Sequence, residues 1–284
     1  MKKVITASIV LYFTDPIELK KAIDACQLLG ETQDGMHIHL YQYTGSSPIF
    51  RELGRLREIA FRAVGEGSGK RRDIDKYDMD YQHLVLWDPT QLELVGAYRL
   101  ACAKEIIDKH GRKGLYTDSL FTYSTEMGPY LEQGIELGRS FVQPKYWGRK
   151  SLDYLWYGIG AFVKNYPQYR YLFGAVSVSN TLPDPAKAML VYYYQHYYKT
   201  DEVLATPNNE FKLCEHELAQ CDMIFCKNDV KEDFVELKHV LANMGAQVPT
   251  LFKQYTELCK PGGVKFLSFS IDPDFNNCID GLVL

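Results

Sequence analysis

The run Gly134-Ile135-Glu136-Leu137-Gly138-Arg139-Ser140-Phe141-Val142 continues into Gln143-Pro144-Lys145-Tyr146-Trp147-Gly148-Arg149-Lys150. It reads as an apolar strand that carries one acid and one arginine and then breaks at a proline. Charge on a strand bound for a sheet interior is costly unless it is paired or put to use, so this segment asks for a chemical explanation. Glu136 and Arg139, three residues apart, would face opposite sides of a regular strand. A bulge near Gly138 would turn both toward one cleft. Two readings stand: a structural pair that anchors the sheet, or direct participation in chemistry. Beyond the proline, Gly148 permits a close backbone approach, and the free N–H groups opening the next helix favour an anion.

Outward from this strand the pattern is mixed. Leu152, Leu155, Trp156, Ile159, Phe162, Val163 and Tyr166 form the apolar stripe of one helix ended by Pro167. Tyr171 to Val178 reads as a strand, and Pro185 suits the first turn of a helix through Tyr192-Tyr193-Tyr194. Upstream, 5–13 reads as a buried strand, and 37–43 alternates as a half-buried one. Residues 49–61 have helical spacing, Gly65-Glu66-Gly67-Ser68-Gly69 is loop, and 83–87 with 92–100 form an antiparallel pair. The region 200–247 is polar and helical in places, and 264–271 and 281–284 are closing strands. Strands followed by strand–helix–strand–helix indicate an α/β or α+β sheet.

With 284 residues, 46% hydrophobic and 24% charged, the chain has the composition of a soluble globular protein of one large or two small domains. The 5–13 run is too short to span a bilayer and lacks a small-residue cleavage site. Seven cysteines, none in a CxxC pair, read as reduced thiols. Cys214, His216, Cys221 and Cys226 match no structural zinc spacing. A net charge of −4 argues against non-specific nucleic-acid binding but leaves room for local basic patches at Lys70-Arg71-Arg72 and at Lys145, Arg149 and Lys150. Asp73 and Asp80 read as surface carboxylates. Cys102 has no partner histidine in sequence to make it a nucleophile. The five tyrosines between Tyr192 and Tyr198 fit the lining of a tunnel for an apolar chain, a membrane interface or ordinary helix packing.

Several motifs occur in a set order: Arg57, Phe61, Asp73-Ile74-Asp75-Lys76-Tyr77-Asp78, His83-Leu84, Gly96-Ala97-Tyr98-Arg99-Leu100, Glu136-Leu137-Gly138-Arg139-Ser140 and Pro144-x-Tyr146-x-Gly148. In that order the chain resembles the GNAT-fold N-acyl amino acid synthases and ornithine-lipid N-acyltransferases, sometimes labelled haemolysin-like. Acyl-homoserine lactone synthases share a looser version. Val248-Pro249-x-Leu251-x-Lys253-x-Tyr255 and Asp272-Pro273-Asp274-Phe275-Asn276 resemble the end of the lipid-synthase group, so the likeness covers about residues 50–200 and 248–284.

The resemblance implies a mixed, mostly antiparallel central sheet flanked by helices, with a splayed strand pair. Residues 1–45 would be an N-terminal extension packed on the core, and 46–284 the acyltransferase domain with a variable insert near 200–247. The implied activity moves a long (3-hydroxy)fatty acyl group from acyl carrier protein to the α-amine of an amino acid, ornithine favoured, giving an N-acyl amino acid or lyso-ornithine-type lipid. Glu136 and Arg139 are the implied catalytic residues, with His83, which starts a strand, read either as a catalytic proton relay or as a structural hydrogen-bonding residue. Asp75, Asp78 and Arg99 face the acceptor. Phe141, Val142, Lys145, Gly148, Arg149 and Lys150 meet the donor. No metal or permanently bound cofactor is implied; the donor brings its own phosphopantetheine, on acyl carrier protein or on coenzyme A. The implied setting is cytoplasmic, with the amino acid and the carrier protein as partners and no nucleic acid. An O-acyltransferase partner and peripheral contact at the inner membrane face are compatible with it.

One departure bears on the donor. Acetyl-CoA-type relatives carry a Q/R-x-x-G-x-G/A turn, whereas here Gln143 to Lys150 runs one step out of register, with Lys150 where a small residue is expected. That weakens a coenzyme A pyrophosphate site and suits a carrier protein, whose acidic surface the basic turn can meet. Two other readings remain open. A signal synthase would use S-adenosylmethionine and release methylthioadenosine, and a non-catalytic module would bind a lipid or a partner without changing cellular lipids.

Overall fold

The computed structural model describes residues 14–284, so the strand read at 5–13 lies outside the described residues. In chain order the elements are α1 (Pro16–Asp24), β1 (Gln27–Glu31), β2 (His37–Gln42), α2 (Pro48–Ala63), β3 (Gln82–Asp88), β4 (Glu93–Cys102), α3 (Ala103–His110), β5 (Phe121–Tyr123), α4 (Gly128–Glu132) and β6 (Gly134–Val142). There follow α5 (Ser151–Asn165), β7 (Tyr171–Val178), α6 (Asp184–Tyr198), β8 (Ala205–Pro207), α7 (Glu215–Ile224), α8 (Val230–Asn243), α9 (Thr250–Leu258), β9 (Phe266–Asp272) and β10 (Cys278–Val283). The chain divides into two compact units. One runs up to Ala101 and takes in Arg139–Pro167; the other comprises Cys102–Gly138 and Gln168–Leu284.

In the first unit the strands run β1-β2-β3-β4, each pair antiparallel. Ser47 caps α2 by accepting the N–H of Phe50 at 3.1 Å, and Pro48 supplies the fixed φ that suits a first turn. The reading of β2 as half-buried needs correction: Ile38, His39, Leu40 and Tyr41 are all buried. Helix α5 lies so close to Ile38 and Leu84 that a Cβ on Gly158 would come within 2.7 Å of both. On the other face Tyr41 lies opposite His83, which α2 reaches through Arg57. Two covered faces leave no solvent side for alternation to mark.

In the second unit the strands run β6-β7-β10-β9. Strand β10 is buried along its whole length between antiparallel β7 and β9. Helix α6 supplies the apolar layer: Tyr193 and Tyr194 are buried with Phe252, Phe266, Leu237 and Leu241. The Tyr194 ring lies 4.7 Å from Phe266 and 4.9 Å from Phe252, and the Tyr193 hydroxyl donates to the Val230 carbonyl at 2.7 Å. Of the three readings of the tyrosine run, helix packing is what these residues do. Among the described residues no helix is long and apolar enough to cross a membrane.

Strand β6 belongs to both units. Its first residues pair with β7 in parallel, from Gly134↔Tyr171 to Leu137↔Gly174. Its last residues belong to the first unit, where the Gln143 N–H donates to the Val95 carbonyl at 2.9 Å. Pairing with β7 thus ends at Leu137, and at that point a Cβ on Gly174 would stand 2.1 Å from the Leu137 carbonyl oxygen. Gly174→Ala should therefore destabilise the protein by about 2–4 kcal/mol, since backbone must move to admit the methyl group. Gly160→Ala, on the exposed face of α5 with open space around it, should stabilise by up to about 1 kcal/mol. Urea unfolding of the two variants checks both signs.

Candidate active site

The first unit gathers most of the charged residues picked out by the motifs. Arg57 sits on α2 one helical repeat from Leu53 and Phe61, so it points inward with them and is fully buried. Residue pairing of β3 with β4 sets His83 beside Arg99. Between them comes the short turn 75–78, closed by a capping box in which the Asp75 N–H donates to Asp78 Oδ2 at 2.8 Å. Asp78 Oδ1 accepts from Arg57 Nη1 at 2.7 Å and from Arg99 Nη1 at 3.1 Å. Arg99 Nη1 also donates to Asp75 Oδ1 at 2.7 Å. Arg139 forms ion pairs with Asp73 at 3.1 Å and Asp75 at 3.4 Å. Asp73 is thus a buried member of the cluster rather than the surface carboxylate the sequence suggested.

Electrostatics fix the protonation states. Burial raises the Asp78 carboxyl, but the Arg57 and Arg99 guanidiniums outweigh it and hold the group well below the carboxylate range. Burial likewise raises Asp75, and Arg99, aided by Arg139, brings it below its usual value. Arg99, fully buried, is kept charged by Asp75 and Asp78 against the cost of desolvation. His83 goes the other way: burial first, and then the Arg57 charge, push it down to about 3. A neutral ring explains its contacts. Nδ1 accepts from Arg57 Nη2 at 3.0 Å, so Nε2 carries the proton and donates to the Asp78 carbonyl at 3.1 Å.

Arg139 has φ +47°, a left-handed conformation on a non-glycine residue, so the irregularity expected near Gly138 falls on the residue that follows it. Glu136 lies on the β6 segment that belongs to the second unit, and its carboxylate is buried. Oε1 accepts from the Thr117 N–H at 2.7 Å and the Thr117 hydroxyl at 2.5 Å, and Oε2 from the Tyr116 N–H at 3.2 Å. The 116–117 turn thus holds the acid, and the 73–75 segment pairs with the arginine.

After β6, Lys145 pairs with Glu93 at 2.5 Å. Gly148 takes φ +75°, and Arg149 lies over the Tyr146 ring at 5.2 Å. Arg149 and Lys150 are exposed ahead of α5. Phe141 is buried, and the Val142 carbonyl accepts from the Trp147 indole at 2.8 Å. Burial pushes the Cys102 thiol up to about 11, which leaves it protonated near neutral pH and a poor nucleophile. Among the described residues no three His, Cys, Asp or Glu side chains are grouped to hold a metal ion.

A family model described as acetyltransferase (GNAT) domain matches residues 56–157, a span that holds the whole Asp–Arg cluster and Glu136. A glycine N(α)-acyltransferase of Phocaeicola vulgatus is 34% identical over 78% of this chain and 71% of its own. One of Bacteroides thetaiotaomicron is 34% identical over 78% of this chain and 69% of its own. The chain belongs to the GNAT N-acyltransferases. An L-ornithine N(α)-acyltransferase of Brucella abortus is more distant, 27% identical over 51% of this chain and 56% of its own.

Two groups in this GNAT acyltransferase escaped the reading of its sequence. Thr117 and Tyr116, which hold Glu136, sit in a polar stretch with no periodicity to mark them. Arg57 belonged to a motif but was given no role, although an arginine on the inward stripe of α2 is itself a signal of a buried partner. His83 yields a test of the cluster. An unfolded histidine titrates near 6.5, while the folded one stays neutral down to about 3. As pH falls between these values the unfolded state gains a proton that the folded state does not take. Stability should fall there by about 1.4 kcal/mol per pH unit on account of this one group. Urea titrations between pH 4.5 and 6.5 should show that slope reduced in His83→Gln. An unaltered slope would mean that His83 is already protonated in the native state.

Proposed function

We propose that this GNAT acyltransferase moves a long fatty acyl group from the thioester of acyl carrier protein to the α-amine of glycine, with Glu136 as general base. The observation that carries the reading is the buried Glu136 carboxylate on the strand that leaves its neighbour at Leu137. The α-ammonium first loses a proton to solvent. The neutral amine nitrogen then attacks the thioester carbonyl carbon, and Glu136 accepts the proton that the nitrogen sheds. The C–S bond breaks, and Glu136 returns that proton to the departing sulfur, so that pantetheine leaves as its thiol. Backbone at Phe141 and Val142 holds the carbonyl oxygen as charge develops. Arg139, Asp75 and Asp78 with Arg99 form the acceptor side, and His83, uncharged, adds a second link between Arg57 and the 75–78 turn through the Asp78 carbonyl.

Glycine is favoured over ornithine on two grounds. The relatives named for glycine match more of the chain at higher identity. In the cluster Arg57, Arg99 and Arg139 face Asp73, Asp75 and Asp78, three charges against three. A glycine zwitterion adds no net charge to it, whereas ornithine brings an extra ammonium. With purified enzyme and acyl carrier protein, N-acylglycine should form faster than N-acylornithine, and Glu136→Gln should lower kcat by about 100-fold or more. Equal turnover by that variant would remove Glu136 from the mechanism, and preference for ornithine would overturn the acceptor assignment.

The carrier protein is supported by exposed Arg149 and Lys150 beside an altered phosphate turn; Lys145, held by Glu93, contributes less. Exposed charge mainly steers encounter and is screened over roughly 8–10 Å at physiological salt. Reversal of Arg149 and Lys150 to Glu should raise KM for acyl carrier protein with little change in kcat, and added salt should weaken the wild type more than the variant. Equal use of acyl-CoA with no effect of the reversal would overturn the carrier-protein reading.

A further inference from the structure

Glu136 Oε1 is held by two donors of one residue, the Thr117 N–H at 2.7 Å and the Thr117 hydroxyl at 2.5 Å. The Thr117 oxygen is in turn in very short contact with the Tyr123 hydroxyl. Thr117 and Tyr123 are both buried. The direction of this chain follows from the acid at its end. An ionised carboxylate only accepts, so Thr117 donates to Glu136 and Tyr123 must donate to Thr117. Burial, and then the Glu136 charge, raise the Tyr123 phenol well above its ordinary value, so it stays a donor across the working range. The turn itself is pinned from outside, since the Tyr116 hydroxyl donates to Asp272 Oδ2 at 2.7 Å. That contact gives a place to the Asp272 motif, for which the sequence offered only a resemblance.

We infer that Thr117 and Tyr123 are positioning residues for the base, fixing Oε1 as the oxygen that never takes the proton and Oε2 as the one that does. The inference rests on Glu136 acting as the general base. With both bonds from Thr117 on Oε1, the proton drawn from the amine goes to Oε2, whose bond from the Tyr116 N–H is longer at 3.2 Å. Once Oε2 is protonated, Oε1 is a carbonyl oxygen and accepts the same two donors unchanged. Neither hydroxyl loses its proton at any step. The pair therefore spares the carboxyl any rotation between its two protonation states, the sense in which a fixed donor set aids proton transfer. Hydrogen bonds to the charged form also set its basicity, and a donor strengthened by a second hydroxyl acts more strongly than one standing alone.

The test uses steady-state kinetics and pH profiles of the full chain with acyl carrier protein and glycine. Thr117→Val should lower kcat by about 10- to 100-fold with donor KM changed by less than about threefold, and Thr117→Ser should recover to within about threefold of wild type. Tyr123→Phe keeps the ring, which stands edge-on to Phe173 at 6.5 Å, and removes only the hydroxyl. It should move the acid limb of the kcat profile to higher pH by about half a unit, because a weaker donor leaves a more basic carboxylate. Should Thr117→Val lose its cooperative melt, the Tyr123→Phe limb decides alone. Wild-type kcat and limb in both variants, with Glu136→Gln inactive, would overturn the positioning role and leave the base in place. Full turnover by Glu136→Gln would instead remove the base and this inference with it.

Discussion

The left-handed residue at Arg139 is the constraint on which the course of β6 depends. A non-glycine side chain in that region costs about 1–2 kcal/mol, so something must hold it there. Asp73 and Asp75 do so through the Arg139 guanidinium. The kink lets one strand serve two sets of partners: residues 134–137 stay in register with β7, and Gln143 fastens to β4 by its N–H and by its side-chain amide. A regular strand would carry Glu136 and Arg139 to opposite faces of a single sheet. With the break, each meets its own ring of partners, and the exit toward Gly148 and α5 is set at the same time.

The Asp–Arg cluster is costly to assemble and costly to breach. Desolvating several charges offsets most of what their attraction returns, yet removal of one member strands its partner at a cost of about 3–5 kcal/mol. Arrangement is thus what the cluster secures. Asp78 joins Arg57 of α2 to Arg99 of β4, Asp75 joins Arg99 to Arg139, and the intervening residues have no other course to follow. His83 is the uncharged member. Were it protonated, a fourth positive charge would sit among three carboxylates with both ring nitrogens obliged to donate, and the bond from Arg57 would be lost.

Where period alone decides structure, the sequence was legible. The stripes of α2 and α5 fall where 3.6-residue spacing places them, and the runs read as strands at 83–87, 92–100 and 171–178 are β3, β4 and β7. The resemblance supplied what period could not: the mixed sheet, the diverging strand and the grouping of Asp75, Asp78 and Arg99. What escaped depends on partners distant in the chain. Strand β1 is five residues with an irregular register at Leu28 and Gly30, and nothing in Gln27–Glu31 alternates. Asp73 looks like any acid in a polar loop until Arg139, 66 positions on, closes on it. The irregularity expected near Gly138 falls at the next residue, where the Arg139 guanidinium pairs with two carboxylates.

The buried acids Asp78 and Glu136 are thereby given different surroundings. Asp78 is clamped by two guanidiniums, and a proton placed on it would leave both without their counter-charge. It is a fixed anion, suited to organising a turn and unsuited to exchanging protons. The donors to Glu136 from the 116–117 turn are neutral N–H and O–H groups, which ask only for an oxygen lone pair. A carboxyl that gains a proton on one oxygen still offers lone pairs on the other, so this setting survives both protonation states. Both acids are buried, but guanidiniums hold Asp78 while the 116–117 turn meets Glu136 with neutral donors. For the base proposed above, neutral donors of this kind suit a carboxyl that must take up and return a proton, whereas two guanidiniums suit a fixed anion.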